Sequence, residues 1–305
     1  MDAVPLLFVQ RVCLLLDGDC LGLSRKISSM WGKVGMEFFE KIHTLCISVE
    51  EGEEKLYIQF EPTFSNDNRD DDTLITLDRV DLKFVTNFRI DSIAVDVEEL
   101  TEITLDDLEK LIRSIRPTTE GTHPVRYDKR SCNSIWLEDF TDIDKKLISR
   151  HLPVDSLCFI SDMDENAIVE PFFENAGPLY SIVCRLDCLK PRTIDVLIDK
   201  FVPVDGGIFT LIWMEPCWDR FTREHLERLV LKCERSNKKV QIRVVLASYP
   251  DASSVTNFFD FDKYYTTKRI EQGPHSALIA SIEGKKLQLR VETNSGEVEW
   301  TWDDK

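Results

Sequence analysis

The chain has 305 residues, with 38 Lys+Arg against 55 Asp+Glu and a formal charge of −17. That balance excludes a protein built mainly to grip nucleic-acid phosphates or an anionic membrane, since both need a basic footprint. A hydrophobic fraction of 43% with 17 Phe, 6 Trp and 6 Tyr excludes a disordered chain and supplies core for about one or two domains. The acid is concentrated. Residues 50–110 hold 19 acidic and 6 basic side chains, a net of −13, which leaves −4 for the rest of the chain. Within that stretch, residues 65–72 contain no apolar side chain and read as a solvated loop.

The first pattern in chain order is an apolar run over residues 4–16. A secretory signal would need a basic start and an unbroken apolar stretch, whereas Asp2 is the only charge before the run and Gln10-Arg11 interrupts it. No segment reaches the roughly 20 apolar residues of a membrane-spanning helix. Nine cysteines scattered between Cys13 and Cys233 fit reduced thiols. A cytoplasmic or nuclear location is therefore expected, with most cysteines serving as small core residues.

Pro5 suits the first turn of a helix, where its missing N–H costs nothing. Behind it Val9, Val12, Cys13 and Leu16 fall at i, i+3, i+4 and i+7. Leu6, Leu7, Phe8, Leu14 and Leu15 are apolar as well, so this helix should be central to a core or covered by a partner. Asp17-Gly18-Asp19 predicts a turn. A second helical stretch then carries Leu21, Leu23, Ile27, Met30 and Trp31 until Gly32 and Gly35 loosen it, and residues 36–42 read as a third. Three short helices cannot hold a large core of their own.

Val4-Pro5, the apolar helix to Leu16, the polar turn, and Ile27-Ser28-Ser29-Met30-Trp31 followed by Val34 together resemble a degenerate F-box of the lineage-expanded nematode type. The resemblance implies a helical module over residues 1–45 that docks on the small adaptor subunit of a cullin-based ubiquitin ligase. On that reading Pro5, Leu6, Phe8, Val9, Val12, Leu15 and Leu16 are the adaptor contacts, with Trp31 packing the helices together. An ordinary amphipathic helical cap is the alternative reading of the same residues.

The rest of the chain, 46–305, reads as an α/β target-binding body in which, from residue 73 to about 250, capped helices alternate with short apolar runs. Thr104 with Asp107 predicts the start of a helix bearing Leu108, Leu111, Ile112 and Ile115, and Thr141 with Asp144 repeats the device before Ile143, Leu147 and Ile148. A third helix is expected from Pro191, presenting Ile194, Leu197 and Ile198, and a fourth from Thr222, presenting Leu226, Leu229, Val230 and Cys233. Strands are expected at 92–96, 134–138, 157–160, 181–185, 208–213 and 240–246. The paired apolar residues on the helix faces recur irregularly. The body thus resembles a degenerate leucine-rich-repeat-like arc, with a compact doubly wound sheet as the alternative. Residues 276–302 read as an antiparallel meander with turns at Glu283-Gly284-Lys285 and Asn294-Ser295-Gly296, capping the sheet. The expected class is α/β: a short helical module, a repeat-like strand/helix arc on a mainly parallel sheet, and an antiparallel C-terminal meander.

Chemistry-bearing patterns are weak. The five histidines are scattered, and Arg223-Glu224-His225 lacks the second His of a zinc-protease helix. No glycine-rich phosphate loop or nucleophile elbow is found. Cys184 and Cys188 have no second pair at zinc spacing. Asp162-Met163-Asp164-Glu165-Asn166 begins like a calcium loop, but Ala167 and Phe173 stand where Gly and the bidentate Glu belong. Aromatics near the end of a strand, Phe209, Trp213, Trp218 and Phe221 around Met214-Glu215-Pro216-Cys217, mark either a recognition pocket or core. Trp213, Trp218 and Phe221 are the target-binding candidates. No cofactor, metal, nucleic acid or membrane is expected. The chain reads as a non-enzymatic ligase adaptor holding a target protein with a basic surface; an interaction scaffold without a ligase link, or an α/β enzyme without a recognisable motif, are the alternatives.

Overall fold

Nine helices and thirteen strands run through the described residues of the computed structural model, which are 4–50, 55–64, 75–92, 100–115, 123–186, 189–213, 220–246, 259–271, 277–294 and 297–305. The acidic loop at 65–72 and most of the strand expected at 92–96 lie outside them, as do Cys188 and residues 214–218. The class is mixed α/β. The chain divides into two units, the first comprising Met1–Pro124, Asp128–Leu137 and Thr141–Val154, the second Val125–Tyr127, Glu138–Phe140 and Asp155–Lys305. No helix among the described residues is long and apolar enough to cross a membrane.

The first unit opens with α1 (Leu6–Cys13), α2 (Gly18–Ser24) and α3 (Met30–Lys41). Their boundaries differ from the sequence expectation. Helix α2 ends early, and Trp31 belongs to α3, whose N-cap Ser29 accepts the Trp31 N–H at 3.2 Å. Gly32 and Gly35 sit inside α3, where each costs about 1 kcal/mol relative to Ala. Close approach explains them: a Cβ on Gly32 would meet the Ile27 carbonyl oxygen at 1.9 Å, and one on Gly35 the Ser24 Oγ at 2.3 Å. Val9, Cys13, Leu21, Val34 and Phe38 form the helices' shared cluster, which they complete with Phe64 and Phe84 from later in the chain.

Strand β1 (His43–Glu50) pairs antiparallel with β2 (Lys55–Pro62) and parallel with β3 (Val85–Asp91). Two 3₁₀ turns, Leu77–Arg79 and Leu82–Phe84, precede β3. With β4 (Thr101–Ile103) and β5 (Ser134–Glu138) the order is β5-β3-β1-β2-β4. Leu45, Ile47, Leu56, Ile58, Phe88 and Ile90 share one buried face through the register of β1 with its neighbours. Helices α4 (Leu105–Ser114) and α5 (Asp142–Ser149) start where the sequence places them. Thr104 accepts the Asp107 N–H at 3.2 Å, and Thr141 with Asp144 forms a capping box.

The second unit threads β6 (Ser156–Ser161), α6 (Asn166–Asn175), β7 (Ser181–Leu186), α7 (Pro191–Lys200), β8 (Gly207–Trp213), α8 (Arg223–Ser236) and β9 (Val240–Leu246). The neighbouring strands β6, β7, β8 and β9 pair parallel, in chain order. A short helix, α9 (Phe261–Tyr264), then leads into β10 (Thr267–Glu271), β11 (Ala277–Ser281), β12 (Leu287–Asn294) and β13 (Glu297–Asp304). The meander is therefore one strand longer than expected. It joins the parallel strands through β13, which pairs antiparallel with β9. Gly284, at φ +81°, makes the expected β11–β12 turn.

Helix α6 has no counterpart in the sequence expectation, and Pro171 lies inside it. Pro171 removes one helical bond. Burial of Val169, Phe172 and Phe173, at i, i+3 and i+4, offsets the loss.

Helix α8 is capped reciprocally: the His225 N–H donates to Thr222 Oγ1 at 3.3 Å, and the Thr222 N–H donates to His225 Nδ1 at 3.0 Å. Nδ1 must be unprotonated to accept. Burial holds the imidazole below its ordinary 6.5, against the pull of Asp195 at 3.4 Å. The unfolded chain thus takes up this proton first as pH falls, so His225 contributes fully above about pH 6.5 and its contribution is lost below that. His225→Gln keeps an acceptor for the cap without the titration. The fall in melting temperature between pH 7.5 and 5.5 is expected to be smaller in this variant than in the parent. His43, also held low by burial, leaves part of the slope in both proteins.

Candidate functional site

Helix α1 is apolar on more sides than the core can use, and the structure sorts those sides. Val9 and Cys13, four residues apart, are fully buried in the helical cluster. Among the expected adaptor contacts Val9 therefore packs inward and supports the helix. Leu6, Phe8 and Leu15 are 50%, 53% and 55% exposed, and Pro5 is exposed beside them. Val12 and Leu16 are half-buried. Trp31, half-buried on α3, meets Phe8 of α1 edge-to-face with ring centroids 6.3 Å apart. Leu7, Leu23, Ile27 and Met36, absent from the expected contacts, are exposed as well, extending the apolar surface over α2 and α3. Leu23 and Ile27 carried a signal, their spacing of four.

The second unit keeps its helices on one side. Phe159 of β6 touches Phe172 and Phe173 of α6, α6 packs beside α7, and α7 beside α8. Tyr264 and Lys263 of α9 bond Glu227 of α8. Strand alternation then turns Cys158, Ile160, Val183, Arg185, Ile208, Ile212, Arg243 and Val245 to the opposite face, where all are half-buried. Arg185 pairs there with Asp162 at 3.0 Å. Over β9 to β13 the same face becomes a charge ladder: Arg243 pairs with Glu297 at 2.5 Å and Glu299 at 3.3 Å, and Arg290 with Glu271 at 3.0 Å and with Glu292. Partly exposed pairs of this kind contribute about 0–1 kcal/mol each, so the ladder sets surface chemistry more than stability.

A comparable polar face occurs in the first unit. Arg89 lies between Glu61 at 2.9 Å and Asp91 at 2.8 Å, and Gln59 donates to Glu61 at 3.0 Å. Burial pushes the Asp91 carboxyl above its ordinary value, and Arg89 opposes it. Trp136, opposite Asp91 in the β3–β5 register, is 42% exposed. These groups form a polar surface of mixed charge with one large aromatic.

The aromatic pocket candidates separate. Phe209 is fully buried against Phe201, with centroids 5.3 Å apart, and is core. Phe221 is half-buried and stacks on His225 at 5.8 Å. Trp213 ends β8, but its side chain lies outside the described residues, as does Trp218. Cys13, Cys46, Cys132, Cys184 and Cys233 are buried thiols, none of them in a disulfide, and burial pushes the Cys184 and Cys233 thiols well up. Among the described residues no three His, Cys, Asp or Glu side chains are grouped to hold a metal ion. Compared with protein-family models, curated proteins and solved structures, the chain finds no match.

Proposed function

We propose that the chain is a non-enzymatic, cytoplasmic or nuclear adaptor of a cullin-based ubiquitin ligase, its N-terminal helices docking on the ligase's small adaptor subunit and its α/β body holding a target protein. The observation that carries this reading is the apolar surface left on α1 to α3, where Leu6, Phe8, Leu15, Leu23 and Met36 are each at least half exposed. Clustered exposure of this sort marks a partner surface. The F-box-like order of Val4-Pro5, apolar helix and Trp31 says which partner. Parallel strands neighbouring in chain order, with helices on one side, favour a leucine-rich-repeat-like arc over a doubly wound sheet in the second unit. The free face of such an arc is suited to a protein target. The net −13 over residues 50–110 favours a basic target surface, whose binding should weaken with salt.

Binding of the purified full chain to the adaptor subunit tests the reading. The parent is expected to bind, and Leu6→Asp with Leu15→Asp to weaken binding at least about tenfold, or 1.4 kcal/mol, with an unchanged circular dichroism spectrum. A parent that fails to bind the adaptor overturns the ligase link and leaves the interaction scaffold.

A further inference from the structure

A second side of α1 opens onto a groove that the adaptor reading does not use. Leu7, Gln10, Arg11 and Leu14, at i, i+3, i+4 and i+7, line one wall of a cavity of about 840 Å³. This stripe is turned by about 100° from that of Phe8, Val12 and Leu15. Phe38 and Lys41 of α3 and residues 79–85, with their second 3₁₀ turn, complete the lining. Apolar surface is open there: Leu7 is 61% exposed and Leu82 40%. Phe84 lies beneath two ammonium groups, Lys41 and Lys83, at 5.6 and 4.9 Å from its ring centre.

The lining's charge is opposite to that of the chain. Among the described lining residues four cations, Arg11, Lys41, Arg79 and Lys83, stand with two acids, Glu37 and Asp81, in a protein of net charge −17. Lys41 is paired with Glu37 at 2.6 Å, and Lys83 with Asp81. Arg11 and Arg79, both exposed, form no salt bridge among the described residues. The wall from Leu7 to Leu14 is about two helical turns long.

We propose that this groove binds an acidic, amphipathic helical segment of a partner protein, its apolar residues seated on Leu7, Leu14 and Leu82 and its carboxylates on Arg11 and Arg79. An apolar floor between guanidinium groups that form no salt bridge among the described residues matches a helix with leucines on one stripe and glutamates beside it, which a free anion would not fill.

Fluorescence anisotropy on the full chain tests this with a labelled peptide of about four helical turns, carrying Leu at i, i+3, i+4 and i+7 and Glu at the flanking positions. Saturable binding is expected, weakened by salt, and lost when Lys replaces every Glu in the peptide. Arg11→Glu with Arg79→Glu is expected to weaken it at least about tenfold, and Leu82→Ser, at an exposed position, to weaken it separately. Both variants should keep the parent circular dichroism spectrum. No saturable binding, equal binding of the Lys peptide, displacement by inorganic phosphate, or undiminished binding by both variants would overturn the proposal. The titration contains no adaptor subunit, so its failure is distinct from failure of the ligase reading.

Discussion

Phe159→Ala is expected to cost the second unit about 3–5 kcal/mol, the range for deleting a large buried aromatic. Phe159 is 0% exposed, and its ring centre lies 5.3 Å from Phe140, 5.5 Å from Phe172 and 5.8 Å from Phe173. Loss of the ring leaves a cavity in the layer that joins β6 to α6, a helix already short of one hydrogen bond at Pro171. The surrounding aromatics have few staggered positions with which to collapse into it. Phe159→Leu keeps most of the volume and should cost roughly 1 kcal/mol. Urea unfolding reads both, as a lower midpoint with little change in slope. A Phe159→Ala midpoint equal to that of Phe159→Leu would mean the aromatic cluster is not the anchor of α6.

Much of this fold was legible because its signals are local. Thr104, Thr141 and Thr222 cap helices through side chains three residues from their partners, and such a device can be read without knowing where the helix packs. The strands at Ser134–Glu138, Ser181–Leu186 and Val240–Leu246 could be read as short apolar runs between those helices. Strand β1 has no counterpart among the expected strands, although Leu45, Ile47 and Val49 alternate with Thr44, Cys46 and Ser48. Its second face is buried too and carries small groups, so the contrast across the strand is low. Strand β3 has no counterpart among the expected strands, because Phe88 and Ile90 alternate with Asn87, Arg89 and Asp91 and so form no apolar run. At the N-terminus the sequence gives an excess of apolar side chains on α1 but not their division among core, exposed stripe and groove. That division depends on where Phe64 and Phe84 arrive, and on the approach of Arg79 and Leu82 from about seventy residues away, which no local pattern encodes.

Glu234 offers the corresponding test for the polar side of the fold. Its side chain on α8 is only 12% exposed and holds three distant groups: the indole N–H of Trp302 at 2.8 Å, the hydroxyl of Tyr265 at 2.9 Å and the ammonium of Lys285 at 2.8 Å. One carboxylate thus ties α8 to the segment after α9, to the β11–β12 turn and to β13. Burial, then the negative charge of Glu234, pushes the Tyr265 hydroxyl well above its ordinary value, so it stays protonated and donates. Glu234→Ala strips the Trp302 and Tyr265 donors of their acceptor and leaves Lys285 the Glu234 carbonyl oxygen at 2.8 Å; Trp302, at 1% exposure, has little access to water as a substitute. The expected loss is about 3–5 kcal/mol, as for breaking a buried charged network from one side. Glu234→Gln keeps one acceptor oxygen and the packing, and should fall between parent and Ala. Because burial, the larger cause, remains, the Tyr265 hydroxyl should descend only part of the way in either variant, which ultraviolet titration of tyrosine ionisation reads directly. Parent-like urea stability in Glu234→Ala would show that the C-terminal meander is held by its strand pairing and apolar face, and not by this carboxylate.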